Sequence, residues 1–92
     1  MEILFKDTPI GKTIKTSGEQ RWVYGEFEPY DNFEQYRELF KAIVCEDGFD
    51  LEEFDSELLD ENNWFIINEN QETKGIEIPA IYEDGDIAFR YR

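Results

Sequence analysis

The sequence predicts an α+β fold: an antiparallel sheet of four to six strands, one main helix packed on it, and a short acidic second helix. Runs of β-forming residues lie before and after a helical middle region, so strands and helices are segregated rather than alternating. The length of 92 residues fits a single domain spanning residues 1–92. Eight Phe, five Tyr and two Trp supply enough apolar surface for a core.

The N-terminal third is expected to contain three strands. Residues 3–5 form a short apolar strand, and residues 8–11, which include Pro and Gly, have the composition of a turn. Residues 12–16 alternate weakly, and their lysines predict an edge strand. After a turn at 17–20, residues 21–28 form the clearest strand. Its two faces are Val23, Gly25 and Phe27 on one side and Trp22, Tyr24 and Glu26 on the other.

The main helix is predicted from about residue 32 to Cys45. Asp31 and Glu34 have the spacing of a capping box, so Asp31 is expected at the N-cap. Six apolar residues fall within about 140° of arc and predict a single core-facing stripe. These residues are Phe33, Tyr36, Leu39, Phe40, Ile43 and Val44. Asp47 and Gly48 then end the helix.

A second, shorter helix is predicted over residues 50–60, with Leu51, Phe54 and Leu58 as a narrow apolar seam. Its carboxylates share an adjacent face: Asp50, Glu53, Glu57, Asp60 and Glu61. Like charges three or four residues apart destabilise a helix by about 0.2–0.5 kcal/mol per pair. Asp60 and Glu61 also oppose the dipole at the helix C-terminus. A loop over the same residues is therefore the alternative.

The C-terminal third is expected to be a set of hairpins. Residues 64–67 are apolar on both faces and predict a central strand, followed by a polar loop at 68–75. Residues 75–78 pair back with it and end at Pro79. Asp84-Gly85 is a strong hairpin signal before the last strand, 87–91. In that strand Ile87, Phe89 and Tyr91 share one face.

The charge of the chain is concentrated in its middle. The net charge is −14, and the 32 residues from Ala42 to Thr73 contain eleven carboxylates and no Lys or Arg. A field of one sign repels nucleic acid and anionic membranes and attracts basic protein surfaces. The sequence therefore predicts a non-enzymatic acidic module that binds a basic protein, with an inhibitor, immunity-like or nucleic-acid-mimic role. The alternative is a charged surface that only keeps the protein soluble.

The binding residues predicted for this role come from two places. The acidic set is Asp50, Glu53, Glu57, Asp60 and Glu61, and the aromatic set is Trp22 and Tyr24. Trp and Tyr dominate interface hot spots. A core position for Trp22 and Tyr24 is the preferred interpretation, because so small a domain needs its aromatics inside. A further alternative is a structural protein that forms a homo-oligomer through this face or a sheet edge.

The composition also points away from catalysis and cofactors. Without histidine the chain lacks the commonest general base and zinc ligand. The lone Cys45 is followed by two acids that disfavour a thiolate, so it is expected to be unreactive. The spacing of the carboxylates does not fit a calcium loop. We expect no metal, no cofactor, no direct contact with nucleic acid or membrane, and a cytoplasmic location, because a signal peptide and an apolar span are both missing.

Three stretches carry a resemblance to a group of small uncharacterised bacterial proteins: residues 25–29, Asn63-Trp64 and residues 78–87. Those proteins end in a similar Pro-Ala-Ile-Tyr-x-Asp-Gly-Asp-Ile stretch. The resemblance implies a bacterial, cytoplasmic, single-domain protein and supplies no activity, substrate or catalytic residue. In charge and size the chain is also similar to small acidic immunity or inhibitor proteins, which is an analogy only.

Overall fold

The computed structural model describes residues 1–19, 21–44 and 54–92. These residues contain seven strands in one antiparallel sheet. The strands are β1 (Glu2–Phe5), β2 (Thr8–Glu19), β3 (Trp22–Pro29), β4 (Trp64–Ile67), β5 (Thr73–Gly75), β6 (Ala80–Ile81) and β7 (Asp86–Arg90). The helical elements of the described residues are a 3-10 helix at Asp31–Tyr36, which continues into α1 (Arg37–Ile43), and a 3-10 turn at Glu61–Asn63. The α+β class holds, with more strands than the four to six expected.

The order of the strands is β5-β4-β1-β2-β3-β7-β6. Residues 73–81 connect the two ends of this order, because β5 pairs with β4 while β6 pairs with β7. Between these two strands, Ile76 forms an isolated bridge with Tyr91 and donates its N–H to the Trp64 carbonyl oxygen at 3.1 Å. The sheet therefore curves into a half-barrel, and its concave face encloses the core.

The core combines the concave face of the sheet with the helical segment. Trp64, Phe40 and Phe89 are almost completely buried. Phe40 of α1 packs edge-on against Trp64, with ring centroids 5.5 Å apart, and Phe33 packs on Phe27 of β3 at 5.1 Å. These contacts seat the helix on the sheet, so the predicted apolar stripe through Phe33, Leu39 and Phe40 is confirmed.

Two details of the predicted main helix are wrong. The helical segment begins as a 3-10 helix, and its N-cap is Tyr30, which makes no side-chain capping bond. Asp31 is therefore not the N-cap, and the expected capping box with Glu34 is not formed. Glu34 instead accepts a hydrogen bond from the guanidinium of Arg37 at 2.7 Å. Its carboxylate therefore pairs with a side chain three residues further along the helical segment and not with a backbone N–H at the N-cap. The predicted end at Cys45, the Asp47-Gly48 stop and the unreactive Cys45 lie outside the described residues.

The predicted second helix is wrong for residues 54–60, which form a series of turns. Their backbone bonds span three residues, as from Leu58 N–H to the Asp55 carbonyl oxygen at 3.0 Å. The Asp55 and Asp60 carboxylates accept backbone N–H groups two residues ahead. Such local bonds compete with helical bonds, which explains the turn structure. The remainder of the predicted helix, 50–53, lies outside the described residues.

The predicted turn at residues 8–11 and the predicted edge strand at residues 12–16 are also wrong. Residues 8–19 form one continuous strand between β1 and β3, and the turn lies at Lys6, whose φ is 57°. Pro9 sits beside a register shift in the β1–β2 pairing, where a missing N–H is tolerated. The Lys12 ammonium lies 3.4 Å from the Glu28 carboxylate, and the Lys15 ammonium lies 3.6 Å from the Glu26 carboxylate. Both glutamates are on β3, so these lysines form ion pairs between neighbouring strands and do not mark an edge strand.

In the C-terminal third, the Asp84-Gly85 hairpin between β6 and β7 is confirmed, with Gly85 at a φ of 98°. The interior position of 64–67 is confirmed as well, since β4 has a neighbour on each side. The strand expected at 75–78 instead ends at Gly75, and pairing resumes at Ala80 on a different neighbour. Within the described residues, no helix has the length and apolar character needed to cross a membrane.

Candidate functional site

The acidic residues predicted for binding are only partly within the described residues. Asp50 and Glu53 lie outside them, while Glu57, Asp60 and Glu61 are exposed in the segment that precedes β4. Glu57 accepts a hydrogen bond from the Lys6 ammonium, and Asp60 accepts from the backbone N–H of Asn62 at 2.9 Å. Two of the three described carboxylates thus have partners within the chain, and their role in binding stays a prediction.

The bond between Lys6 and Glu57 has a visible electrostatic consequence. It raises the pKa of Lys6 above its usual value, and the Coulomb attraction of Glu57, Asp55 and Asp7 adds to the effect. Both partners are about half exposed, so solvent screens the interaction. A basic partner that approached Glu57 would compete with Lys6.

Trp22 and Tyr24 lie on the outer face of β3, away from the core. They are 42% and 47% exposed, and their rings stack with centroids 6.1 Å apart and planes 17° apart. The preferred interpretation of these residues as core is therefore wrong. The helical segment covers only the opposite face of β3, which buries Val23 and Phe27.

Tyr82 joins these two aromatics on the outer face, although it was not among the residues predicted for binding. It is 45% exposed and follows Ile81, which points into the core. Because side chains alternate along a strand, a buried Ile81 sends Tyr82 outward. That alternation next to the Asp84-Gly85 turn was the available signal.

A groove of about 400 Å³ lies between Tyr24 and Tyr82 on this outer face. Its floor is formed by residues with small side chains, Gly25 of β3 and Ala88 of β7. Tyr24 stands directly opposite Ala88 in the strand register. The Tyr82 N–H donates to the Asp86 carbonyl oxygen at 2.9 Å, which fixes the second wall to β7.

Charged side chains line the same groove next to Tyr82. Glu26 and Asp86 are directly opposite each other on β3 and β7, so both carboxylates are on the outer face. Lys15 also lines the groove, with its ammonium 3.6 Å from Glu26. The described lining thus holds two carboxylates and one amine, and it combines aromatic walls with net negative charge.

No family model matches this chain, and neither curated proteins nor solved structures include a significant match to it. The resemblance to small bacterial proteins accordingly stays a prediction, as does the cytoplasmic location.

Proposed function

We propose that this protein is a non-enzymatic acidic module that docks on a basic protein through the outer face of its sheet. The observation that carries the proposal is a group of three exposed aromatics on this face, Trp22, Tyr24 and Tyr82. Tyr24 and Tyr82 line one groove, and Trp22 stacks on Tyr24. Every other aromatic side chain of the described residues is buried or half-buried. Aromatics left exposed together on such a domain mark an interaction site.

The net charge supports a basic partner. Among the described residues, six of the nine Lys and Arg side chains already form ion pairs with the protein's own carboxylates: Lys6, Lys12, Lys15, Arg37, Lys41 and Arg90. With 23 acids in the chain, most of the negative charge is left over. Such a field increases the rate of association with a positively charged surface.

The groove favours binding over catalysis. Its carboxylates lie on an open face in contact with water, where charges are screened and a transition state gains little electrostatic stabilisation. An inhibitor, an immunity-like protein or a nucleic-acid mimic are three roles that fit such a surface. In each of these roles the proposed target is a basic protein.

A capture experiment tests this proposal. The tagged full-length protein is incubated with a lysate of its native host at about 50 and 500 mM salt, because charge-driven complexes weaken with salt. A retained protein is identified, purified and shown to bind directly. We expect a basic protein that is retained at low salt and lost with the Trp22→Ala/Tyr24→Ala variant.

Two controls make the capture experiment specific. The Trp22→Phe/Tyr24→Phe variant keeps both rings, and Gln35→Ala changes an exposed residue of the helical segment. Both should retain the partner. Equal retention by the alanine variant, or a target without excess positive charge, contradicts the proposal.

Self-association through the same face is the second candidate, because the stacked Trp22 and Tyr24 would be covered in a dimer. Each copy carries a net charge of −14 over its whole chain, and this charge opposes the approach of a second copy. Light scattering over a range of concentrations and salt separates the two candidates. A dimer that the Trp22→Ala/Tyr24→Ala variant dissociates supports self-association instead of a basic partner.

A further inference from the structure

We propose that the groove between Tyr24 and Tyr82 binds the guanidinium group of an arginine side chain. The inference deepens the proposed function and rests on it for the source of the arginine, a basic protein. The reasons are the spacing of the two rings, the paired carboxylates beside them and the shape of the guanidinium group.

The spacing of the groove suits a flat group. Tyr24 is on β3 and Tyr82 follows β6, so β7 lies between them. Two strand spacings place their backbones about 10 Å apart across the sheet. Ala88 of β7 lies opposite Tyr24, and its small side chain leaves space beside that ring. A planar cation can lie there within the roughly 6 Å of a ring centroid at which cation–π attraction acts.

The carboxylates that line the groove favour a cation. Glu26 and Asp86 face each other across β3 and β7, and like charges directly opposite destabilise a sheet. Lys15 offsets part of this repulsion, yet its side chain is 73% exposed. Within the described residues, Asp86 forms no salt bridge. A bound cation therefore gains a free carboxylate and relieves a repulsion already present.

The combination of rings and carboxylates discriminates between cations. The guanidinium group is planar, stacks on aromatic faces and donates two parallel hydrogen bonds to one carboxylate. An ammonium group is compact and strongly hydrated, and it cannot stack. A groove lined by two rings and two carboxylates therefore suits arginine better than lysine.

Titration by NMR tests this site with defined probes. The ¹⁵N-labelled protein is titrated with the capped tripeptide Gly-Arg-Gly, with its lysine analogue, and with the analogue that carries neutral citrulline. We expect the arginine peptide to shift the amides of Gly25, Asp86 and Ala88. The lysine peptide should bind about two- to fivefold more weakly, and the citrulline peptide should give no saturable shift.

Variants locate the interaction within the groove. Asp86→Asn and Tyr82→Ala should each weaken binding of the arginine peptide by about two- to fivefold. Tyr82→Phe keeps the ring and should bind as well as the unmodified protein. Glu69→Gln removes one exposed carboxylate from the loop between β4 and β5, at the opposite end of the strand order from the groove, and should have no effect. Because Tyr82 is exposed, its replacement should leave the remaining amide spectrum unchanged.

Clear results would overturn the inference. Shifts spread over the acidic surface, with equal affinity for arginine and lysine and no effect of Asp86→Asn, indicate general charge attraction. Absence of shifts at Gly25 and Ala88 excludes the groove. If the groove fails while capture still depends on Trp22 and Tyr24, the docking face stands and its occupant differs. If the peptide binds but no basic protein is captured, the site stands and the docking role fails.

Discussion

The single side chain of Arg92 forms hydrogen bonds with three separate residues of the described chain. Its guanidinium donates to the carbonyl oxygens of Ile76 and Trp64 and to the side-chain oxygen of Asn62, at 2.9, 3.0 and 3.1 Å. It also lies over the Phe65 ring, 5.2 Å from the centroid. These bonds connect Arg92 to the segment of residues 73–81, which runs from β5 at one end of the strand order to β6 at the other.

Replacing Arg92 by Ala should lower the free energy of unfolding by about 1–3 kcal/mol, because carbonyl groups would lose charged donors. Urea unfolding followed by tryptophan fluorescence measures the change. Arg21→Ala is the matched control, since Arg21 is exposed and forms no ion pair with the described residues. Equal stability of the two variants would contradict this role.

Tyr30 forms a second long-range bond, from its hydroxyl to the Glu2 carboxylate at 2.9 Å. Burial raises the pKa of Tyr30 above 10, and the hydrogen bond with Glu2 raises it further. The neutral phenol is thus favoured in the folded state. Its contribution to stability is fully present below the unfolded value near pH 10 and is lost as pH rises through the folded value.

Tyr30→Phe should therefore reduce stability by about 1 kcal/mol at pH 7. The difference from the unmodified protein should shrink above about pH 10, where the phenolate forms beside Glu2. Urea unfolding at pH 7 and at alkaline pH gives both values. Tyr82→Phe, an exposed position, should change neither. A difference that stays constant with pH would show that the hydroxyl titration is not linked to folding.

At the scale of elements, β2 and β3 depend on each other through Gly25. The β2–β3 register shifts between Ile14 and Ser17, and Lys15 within this bulge has a φ of 52°. A Cβ on Gly25 would lie 2.8 Å from the Ile14 carbonyl oxygen and 3.1 Å from Thr16 Cγ2. The bulge in β2 therefore occupies the space that a side chain on Gly25 would need. The same bulge places Lys15 beside the groove.

Gly25→Ala should force the bulge away from β3 and lower stability by about 1–3 kcal/mol, the usual cost of overpacking. Thermal unfolding of the variant checks this, with Ser17→Ala as an exposed control on β2. An unchanged melting temperature would show that β2 adjusts without cost.

At the scale of the whole molecule, the charge of −14 opposes the compact state. The seven salt bridges of the described residues are all between partly exposed side chains, and such pairs contribute little. Repulsion among the remaining carboxylates should therefore outweigh these attractions.

Added salt should accordingly raise the melting temperature. The screening length falls from about 30 Å at 0.01 M to about 3 Å at 1 M, which removes long-range repulsion first. Differential scanning calorimetry in sodium chloride and in an equal series of potassium chloride separates screening from ion-specific effects. A melting temperature that falls with salt would mean that the ion pairs dominate.

Local patterns in the sequence were sufficient for the elements whose structure depends on near neighbours. The alternation of Ile87 and Phe89 correctly predicts the buried face of the last strand, and Asp84-Gly85 predicts its hairpin. The stripe of Phe33, Leu39 and Phe40 predicts the helix face. For the candidate site, the sequence singled out Trp22 and Tyr24. It left two alternatives for them, a place in the core or a place at an interface.

The sequence by itself determined the class of fold, the excess of acid and the alternation that separates Trp22 and Tyr24 from Val23 and Phe27. Only the tertiary structure decided which of those faces the helix covers, because both are apolar enough to be buried. It also decided that Tyr82 and Asp86 join Tyr24 and Glu26 at one groove. That meeting depends on strand pairs more than fifty residues apart in the chain, and such long-range pairing leaves no signal in a local pattern of residues.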